Sequence, residues 1–572
     1  MRLSVISLLA ALAVPAGAAT RPADTVLVHG VVLTVNARDE IAQALAIRDG
    51  RVVAVGNERE IDALIGPATK IIELDGHTVT PGLIDSHAHI LDGAINQLFH
   101  VDLSRASTIA ELLAQVKAKA DSAEPGEWIL GGGFNEGLLA EHRAPTLAEL
   151  DVVSGGHPLM LTSTTGHYVA VNGVALTMAH IDDRTPSPPA GTIDRDAAGH
   201  ATGLLKETAA MALVRDLVPP TTREQDKAAL RAIIAKMHEE GMTGVKDPLL
   251  SPKKWASYLD LARSEGLSIH ACGLIFAGAT MKSGVEALAA IRQARRDVAT
   301  LPAGDLGICG AKILLDGAVM ARTSWMHADF AADAAHPMPT GHGYPTVEPD
   351  VYRQMVRLFV RAGVPLGTHV IGDQAIDLAV DAYADALKAF PRQGLRLSLI
   401  HAHIPSGHAL DLMADLQRRY DSGIPEVQGG FLWWLGDALP SALGPDRSAH
   451  TMPFATYRKR GMIFAGGSDF PVTPLPARFG LWASVARQPL KGVFGAQPFG
   501  LDEAIDVRTA LRSYTIWAAR QLFIEQQSGS LEVGKWADIA VWDRNPYTVP
   551  TAALEDMTCL MTLYKGQVVF SR

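Results

Sequence analysis

The chain is 572 residues long, 48% hydrophobic and 20% charged. That composition excludes a disordered or fibrous protein and leaves ample length for a large core. The formal net charge of -10 excludes the basic stripe with which a protein grips nucleic acid.

Met1-Arg2, the apolar run from Leu3 to Val14 and the small residues from Pro15 to Ala19 have the layout of a secretory signal peptide. Ala16-Gly17-Ala18 offers the cleavage pattern, so residues 1–19 read as signal peptide and the mature chain starts at Ala19 or Thr20. The run is too short to span a bilayer comfortably, and no later segment reads as transmembrane. The expectation is an exported protein, periplasmic in a Gram-negative cell.

From Thr25 to Thr80 short apolar runs alternate with turn dipeptides such as Asp49-Gly50 and Asp75-Gly76, the pattern of a small sandwich. Trp536–Trp542 and Leu560–Phe570 repeat it at the other end. Residues 20–80 and 525–572 are therefore expected to form one composite β-sandwich domain around residues 81–524. An insertion of about residues 103–218 reads as a lid or substrate-side subdomain. It holds a helix around Ile109–Asp121, a glycine-rich turn at Gly131–Gly133 and a Pro/Gly-rich segment from Arg184 to Gly203.

From Thr222 onward amphipathic helices alternate with apolar strands. The strands are read at Met242–Asp247, Leu267–Phe276, Gly307–Asp316, Val364–Ile371, Leu395–Ala402, Ile424–Gln428 and Met462–Asp469. With Leu83–Ile90 they make eight, which predicts an α/β fold, a TIM-type (β/α)8 barrel. Cys272 and Cys309 lie in these apolar runs and each reads as a small buried residue. With Cys559 as the third, the chain is not a disulfide scaffold.

Chemistry in such a barrel sits at the carboxyl ends of its strands. The polar residues there are His87 and His89 on strand one, Lys312 with Asp316 on strand four, His369 on five, His401 on six and Asp469 on eight. Strand alternation would put His87 and His89 on one face. Any one of these residues alone also reads as a satisfied core residue or a cap. Four histidines and a carboxylate at one mouth are expensive to bury for stability alone. Lys312, as an ammonium beside a metal, would be repelled and desolvated; as a neutral amine it could take up carbon dioxide as a carbamate. His403 shares a face with His401 and competes with it as a ligand. Glu426 on strand seven reads as a pocket residue, and the pair Trp433-Trp434 as pocket wall, ordinary packing or the contact of a homodimer.

The order His-x-His, Lys, His, His, Asp along a barrel flanked by terminal β segments resembles the amidohydrolase superfamily. The local strings resemble its YtcJ-like group, which includes N-substituted formamide deformylases. They are Pro81–His89, Gly166–Asn172, Thr202–Glu207, Lys312–Gly317, His369–Ala375, Gly467–Val472 and Gly529–Asp538. The resemblance implies two divalent ions of the zinc type. His87, His89 and Asp469 would hold the more buried one, His369 and His401 the second, and carboxylated Lys312 would bridge them. It implies a water activated between the metals and Asp469 as the group that takes its proton and hands it to the leaving nitrogen. His167, with Asn172 beside it, would contact the substrate.

The strings also depart from the group's pattern, in Ile400-His401, Gly131–Asn135 and Gln428–Phe431, where pocket shape is set. The expected function is metal-dependent hydrolysis of a non-peptide amide-type C-N bond in a small-molecule substrate: an N-acyl or N-formyl amide, a carbamate or a cyclic amide. The alternatives are an esterase or lactonase using the same site, and a non-catalytic exported binding or sensory protein.

Overall fold

The computed structural model describes residues 21–332, 341–491 and 498–572. The expected signal peptide lies outside the described residues. Among the described residues no helix is long and apolar enough to cross a membrane.

Eight strands lie side by side and parallel, in chain order: Leu83–Asp85, Met242–Leu250, His270–Phe276, Leu306–Leu314, Leu366–Val370, Ser398–His401, Ile424–Val427 and Ala465–Gly466. Nearly every residue in them is buried, as expected of a parallel sheet covered by its own helices. The first and last strands are too short to pair by a ladder. They are joined by the Ser86 N–H, which donates to Gly466 O at 2.9 Å, and by the Asp85 carboxylate, which accepts from the Ser468 N–H and hydroxyl. A side chain thus helps to close the barrel.

Helices start where the sequence supplies a cap. Thr222 and Gln225 form a capping box for Arg223–Glu239, and Pro252 opens Pro252–Ser264 after Ser251. Pro349–Ala362 ends at Gly363 with φ 67°, a left-handed stop that glycine adopts without penalty.

Thr78–Pro81 pairs antiparallel with Ile539–Trp542 inside a six-stranded sheet made from both ends of the chain. A four-stranded sheet of Thr25–Val28, Ala44–Arg48, Arg51–Gly56 and Lys70–Glu73 packs on it. Leu27, Leu45, Val79, Ile539 and Leu563 share the core between them. A third sheet, six-stranded, is built from Val101–Asp102 to Ala201–Lys206.

Three local expectations are corrected. Gly131–Gly133 is not a turn but part of strand Ile129–Phe134; a side chain at Gly131 would run into Leu161 at 2.9 Å. The first barrel strand ends at Asp85, and His89 stands at the residue before helix Ile90–Phe99, so the two histidines sit on a strand-to-helix turn rather than on one strand face. Cys272 and Cys309 are not separate buried thiols but a disulfide between neighbouring strands, with Cα atoms 5.7 Å apart.

Candidate active site

The strand ends bring His87, His89, Lys312, His369, His401 and Asp469 together. The Nε2 atoms of His87 and His89 both lie 3.3 Å from Asp469 Oδ1. Lys312 Nζ lies 3.5 Å from His87 Nε2, and His401 Nε2 lies 2.9 Å from His369 Nδ1. The left-handed backbone of Asp469, φ 57°, turns its side chain back over the mouth immediately after the last strand.

Burial holds the rings of His87 and His369 well below the usual imidazole range, helped by the Lys312 charge for His87 and by His401 for His369. It holds His401 at about 3. All three are therefore neutral at pH 7, the form in which imidazole binds a metal. Burial opposes the charge of Asp469, but the facing rings of His87 and His89 outweigh it, and the carboxyl stays well below its ordinary value. Desolvation lowers the Lys312 amine to about 7 against the pull of Asp469 and Glu426. A large share of Lys312 is therefore a free amine near neutrality.

The hydrogen bonds around His401 and His369 test whether a cation fits. Gln428 Nε2 donates to Glu426 O, which turns its Oε1 toward His401 Nδ1 at 2.7 Å. His401 must then carry its hydrogen on Nδ1. His369 donates from Nε2 to Gly317 O at 3.3 Å. His369 Nδ1 and His401 Nε2, left without hydrogens by those two bonds, face each other at 2.9 Å, an arrangement that a cation beside both would relieve. His87, His401 and Asp469 offer ligand atoms that all lie within 4.8 Å of one another. The donor set, neutral nitrogens with one carboxylate, suits a divalent ion of the zinc type.

Beneath the cluster Lys246 and Glu426 form a fully buried ion pair, and Glu426 Oε2 stands 3.9 Å from His87 Nδ1. Asp85 accepts the His87 N–H at 2.9 Å as well as the Ser468 donors; burial still raises its carboxyl to about 7. Asp316 accepts the backbone N–H groups of Trp325, Ile371 and Gly372, tying the loop after strand four to the residues that follow the strand of His369. None of these supporting contacts was expected from sequence, although Asp85 and Asp316 lie in the strings that suggested the site.

Above the cluster His167 reaches in from the third sheet, its ring centroid 4.9 Å from that of His369. Glu207 holds its Nδ1 at 2.9 Å and also accepts from the Thr323 hydroxyl. Burial opposes the His167 charge, but Glu207 prevails and raises its pKa. Asn172 is not brought to the site. Its amide caps helix Gly173–Met178 and bonds the Leu159 N–H, Ser154 and His157 O, so its polar atoms are spent inside the third sheet.

His403 stands apart from the ligand cluster. His401 and Ala402 both take left-handed conformations, φ 75° and 43°, so the two-residue spacing no longer keeps His403 on the face of His401. Both of its ring nitrogens are buried without a hydrogen-bond partner, and burial lowers its pKa to about 3. A cavity of about 810 Å³ opens over the cluster, walled by Trp433, Trp434, Phe470 and Phe479 and floored by His87, Lys312 and Asp469. Trp433 packs against Phe479 with centroids 4.8 Å apart.

A family model described as "Amidohydrolase family" matches residues 70–570. The chain is 27% identical over 551 residues to the putative amidohydrolase YtcJ of Bacillus subtilis (strain 168), covering 95% of this chain and 98% of that protein. It is 29% identical over 571 residues to the N-substituted formamide deformylase of Arthrobacter pascens, covering 97% and 99% respectively. Among solved structures, an uncharacterized metal-dependent hydrolase from Pyrococcus horikoshii OT3 superposes with a TM-score of 0.68 at 22% identity. That match covers 92% of this chain and 99% of the other.

Proposed function

This chain belongs to the amidohydrolase family, and from that premise we propose that it hydrolyses a non-peptide amide-type C-N bond of a small molecule. The candidates are an N-acyl or N-formyl amide, a carbamate or a cyclic amide. The observation that carries the reading is that His369 Nδ1 and His401 Nε2 face each other at 2.9 Å in a mouth shared with Asp469. The relative that cleaves N-substituted formamides supports an acyl-nitrogen bond over other hydrolysable bonds.

His87, His89 and Asp469 would hold one divalent ion and His369 and His401 a second, both of the zinc type. Lys312 would link the two sites after its free amine adds to carbon dioxide, forming the N-C bond of a carbamate and releasing one proton. Metals in such sites supply Lewis acidity, polarising a carbonyl and lowering the pKa of water to about 7.

Asp469, kept ionised by its histidines, takes one proton from the attacking water and returns it to the departing nitrogen, while the second stays on the carboxyl group, so that amine and carboxylic acid leave with both protons of water accounted for. His167, anchored by Glu207, presents its Nε2 edge to the carbonyl oxygen. Trp433 and Phe479 cover the substrate and restrict water.

The test is a panel of amides and matched esters assayed before and after chelation. Amide turnover that disappears with the metal, returns with added zinc and exceeds ester turnover is expected. Turnover that survives thorough metal removal would contradict the reading. Faster ester cleavage would point to the esterase alternative, and binding without turnover across the panel to the non-catalytic one.

We further propose that the chain is exported. The leader-like start and the Cys272–Cys309 bridge both suit an oxidising compartment. Fractionation of the native host should recover a chain beginning at Ala19 or Thr20 outside the cytosol; a cytosolic chain with Met1 intact would overturn this.

A further inference from the structure

The wide cavity is not the only space at the ligand cluster. A second chamber of about 30 Å³ adjoins it and shares Thr165, His167, His369, His401 and Asp469 with it. Beyond those shared residues its walls are largely apolar, from Ala318 and Met320 on one loop to Phe431, Leu435 and Leu439 after strand seven. All of these but Met320 are buried. One wall is polar: His403, 2% exposed, with no partner on either ring nitrogen. Its carbonyl accepts from the Met452 N–H at 2.8 Å, which anchors the backbone beneath a ring whose hydrogen-bonding capacity is unspent. An unpartnered buried imidazole beside a cavity marks a place where a ligand atom completes the bonding. A neutral imidazole offers one donor and one acceptor, enough for a hydroxyl or a carbonyl.

The two spaces divide a substrate whose carbonyl lies over His369 and His401. Hydrolysis leaves a neutral chain on the acyl side and an amine that becomes a cation on the other. A chamber lined by apolar residues and histidines suits the neutral part, since an ammonium there would be desolvated with little compensation. The wide cavity carries charged groups of both signs in its walls, Asp92, Asp102 and Glu240 with Arg105, Arg215 and Arg478, a polar surround that leaves a charged amine hydrated.

We propose that the small chamber is the acyl subsite, that it takes an acyl substituent of about two or three heavy atoms, and that His403 hydrogen-bonds a polar atom on it. His403 is thus a specificity residue rather than a metal ligand. This deepens the amide-hydrolase reading and rests on it.

The metal-loaded protein is assayed with formyl, acetyl, glycolyl, propionyl and hexanoyl amides of 4-nitroaniline, alongside a reciprocal series with a bulky acyl group and small amines. Glycolyl and propionyl have the same shape and differ by a hydroxyl. The expected result is a glycolyl preference of about tenfold or more in kcat/KM, sharp loss of turnover for hexanoyl, and a glycolyl-to-propionyl ratio near one in His403→Leu. Leu439→Phe, which fills the chamber, should shift the preference toward formyl and checks the inference if His403→Leu folds poorly.

Binding supplies a second readout. Calorimetry of glycolamide and propionamide on metal-free protein should favour glycolamide in the wild type and neither in His403→Leu. Amides hydrolysed with a ratio within about twofold that His403→Leu leaves unchanged, or size discrimination found only on the amine side, overturn the acyl subsite while leaving amide hydrolysis standing. No amide turnover with the His403-dependent glycolamide preference intact keeps the subsite and sinks the amide reading.

Discussion

Gln428 settles which nitrogen of His401 is free. By accepting from Nδ1 it leaves Nε2 without a hydrogen where it faces His369, a role often filled by a carboxylate behind a metal-binding histidine. Gln428→Leu keeps the size and removes the acceptor. It should weaken metal affinity by about 10- to 100-fold in a competition titration against a chromophoric chelator; unchanged affinity would mean that the ring is oriented by packing alone. At Asp469 the expected effect falls on rate. Asp469→Asn should lower kcat by about 10²- to 10⁴-fold with an unchanged circular dichroism spectrum, and a variant that keeps wild-type kcat would remove Asp469 from the proton path. His87, Lys312, His369 and Asp469 could be picked out from sequence because each is a polar residue in or beside an apolar run. Their supports could not. Glu207 meets His167 across 40 residues and Glu426 meets Lys246 across 180, pairings that no local periodicity carries. His403 was misplaced because period-two alternation fails where His401 and Ala402 turn left-handed.

At the scale of elements, all eight barrel strands were visible as apolar runs between amphipathic helices, although the first and last proved shorter than their runs. The disulfide was not, because a pairing depends on neighbours in space. Strands three and four set Cys272 opposite Gly307, two residues before Cys309. The bridge closes a separation of 37 residues, for which chain entropy gives about 4 kcal/mol. A Cys272→Ser/Cys309→Ser double variant should melt several degrees lower, and wild-type protein under denaturing, non-reducing conditions should titrate one thiol, from Cys559. Three thiols would disprove the bridge.

The Gly529–Asp538 string, which suggested the family, does structural work. The Asp538 carboxylate accepts from the Ser528 hydroxyl and the Lys565 N–H and faces His270 Nε2 of strand three at 2.7 Å. Burial opposes its charge, but His270 and Ser528 outweigh burial and hold its pKa below the ordinary 3.8. A carboxyl depressed in this way contributes stability above its unfolded pKa, lost as pH falls through the folded one. The slope of melting temperature against pH below ~4 should therefore be shallower in Asp538→Asn; an identical slope would place the acid sensitivity elsewhere.

Over the whole molecule, one barrel carries the ligands, the terminal sheets clamp its base through Asp538, and the third sheet lowers His167 over the mouth. The carboxyl ends of the strands place the candidate ligand residues, while the loops and the inserted sheet fix what fits above them. That division explains why the hydrolytic class was legible and the substrate was not: the candidate ligand residues lie in or just after strands with a strong pattern, whereas Trp433, Phe479 and the 810 Å³ cavity wall come from segments whose arrangement depends on packing. Metal content per chain reports on the binuclear centre itself, by elemental analysis of protein purified without chelator beside a Lys312→Ala control. About two equivalents of zinc or a similar ion, falling sharply in the control, is the predicted result. No bound metal, with turnover indifferent to chelator, would contradict it.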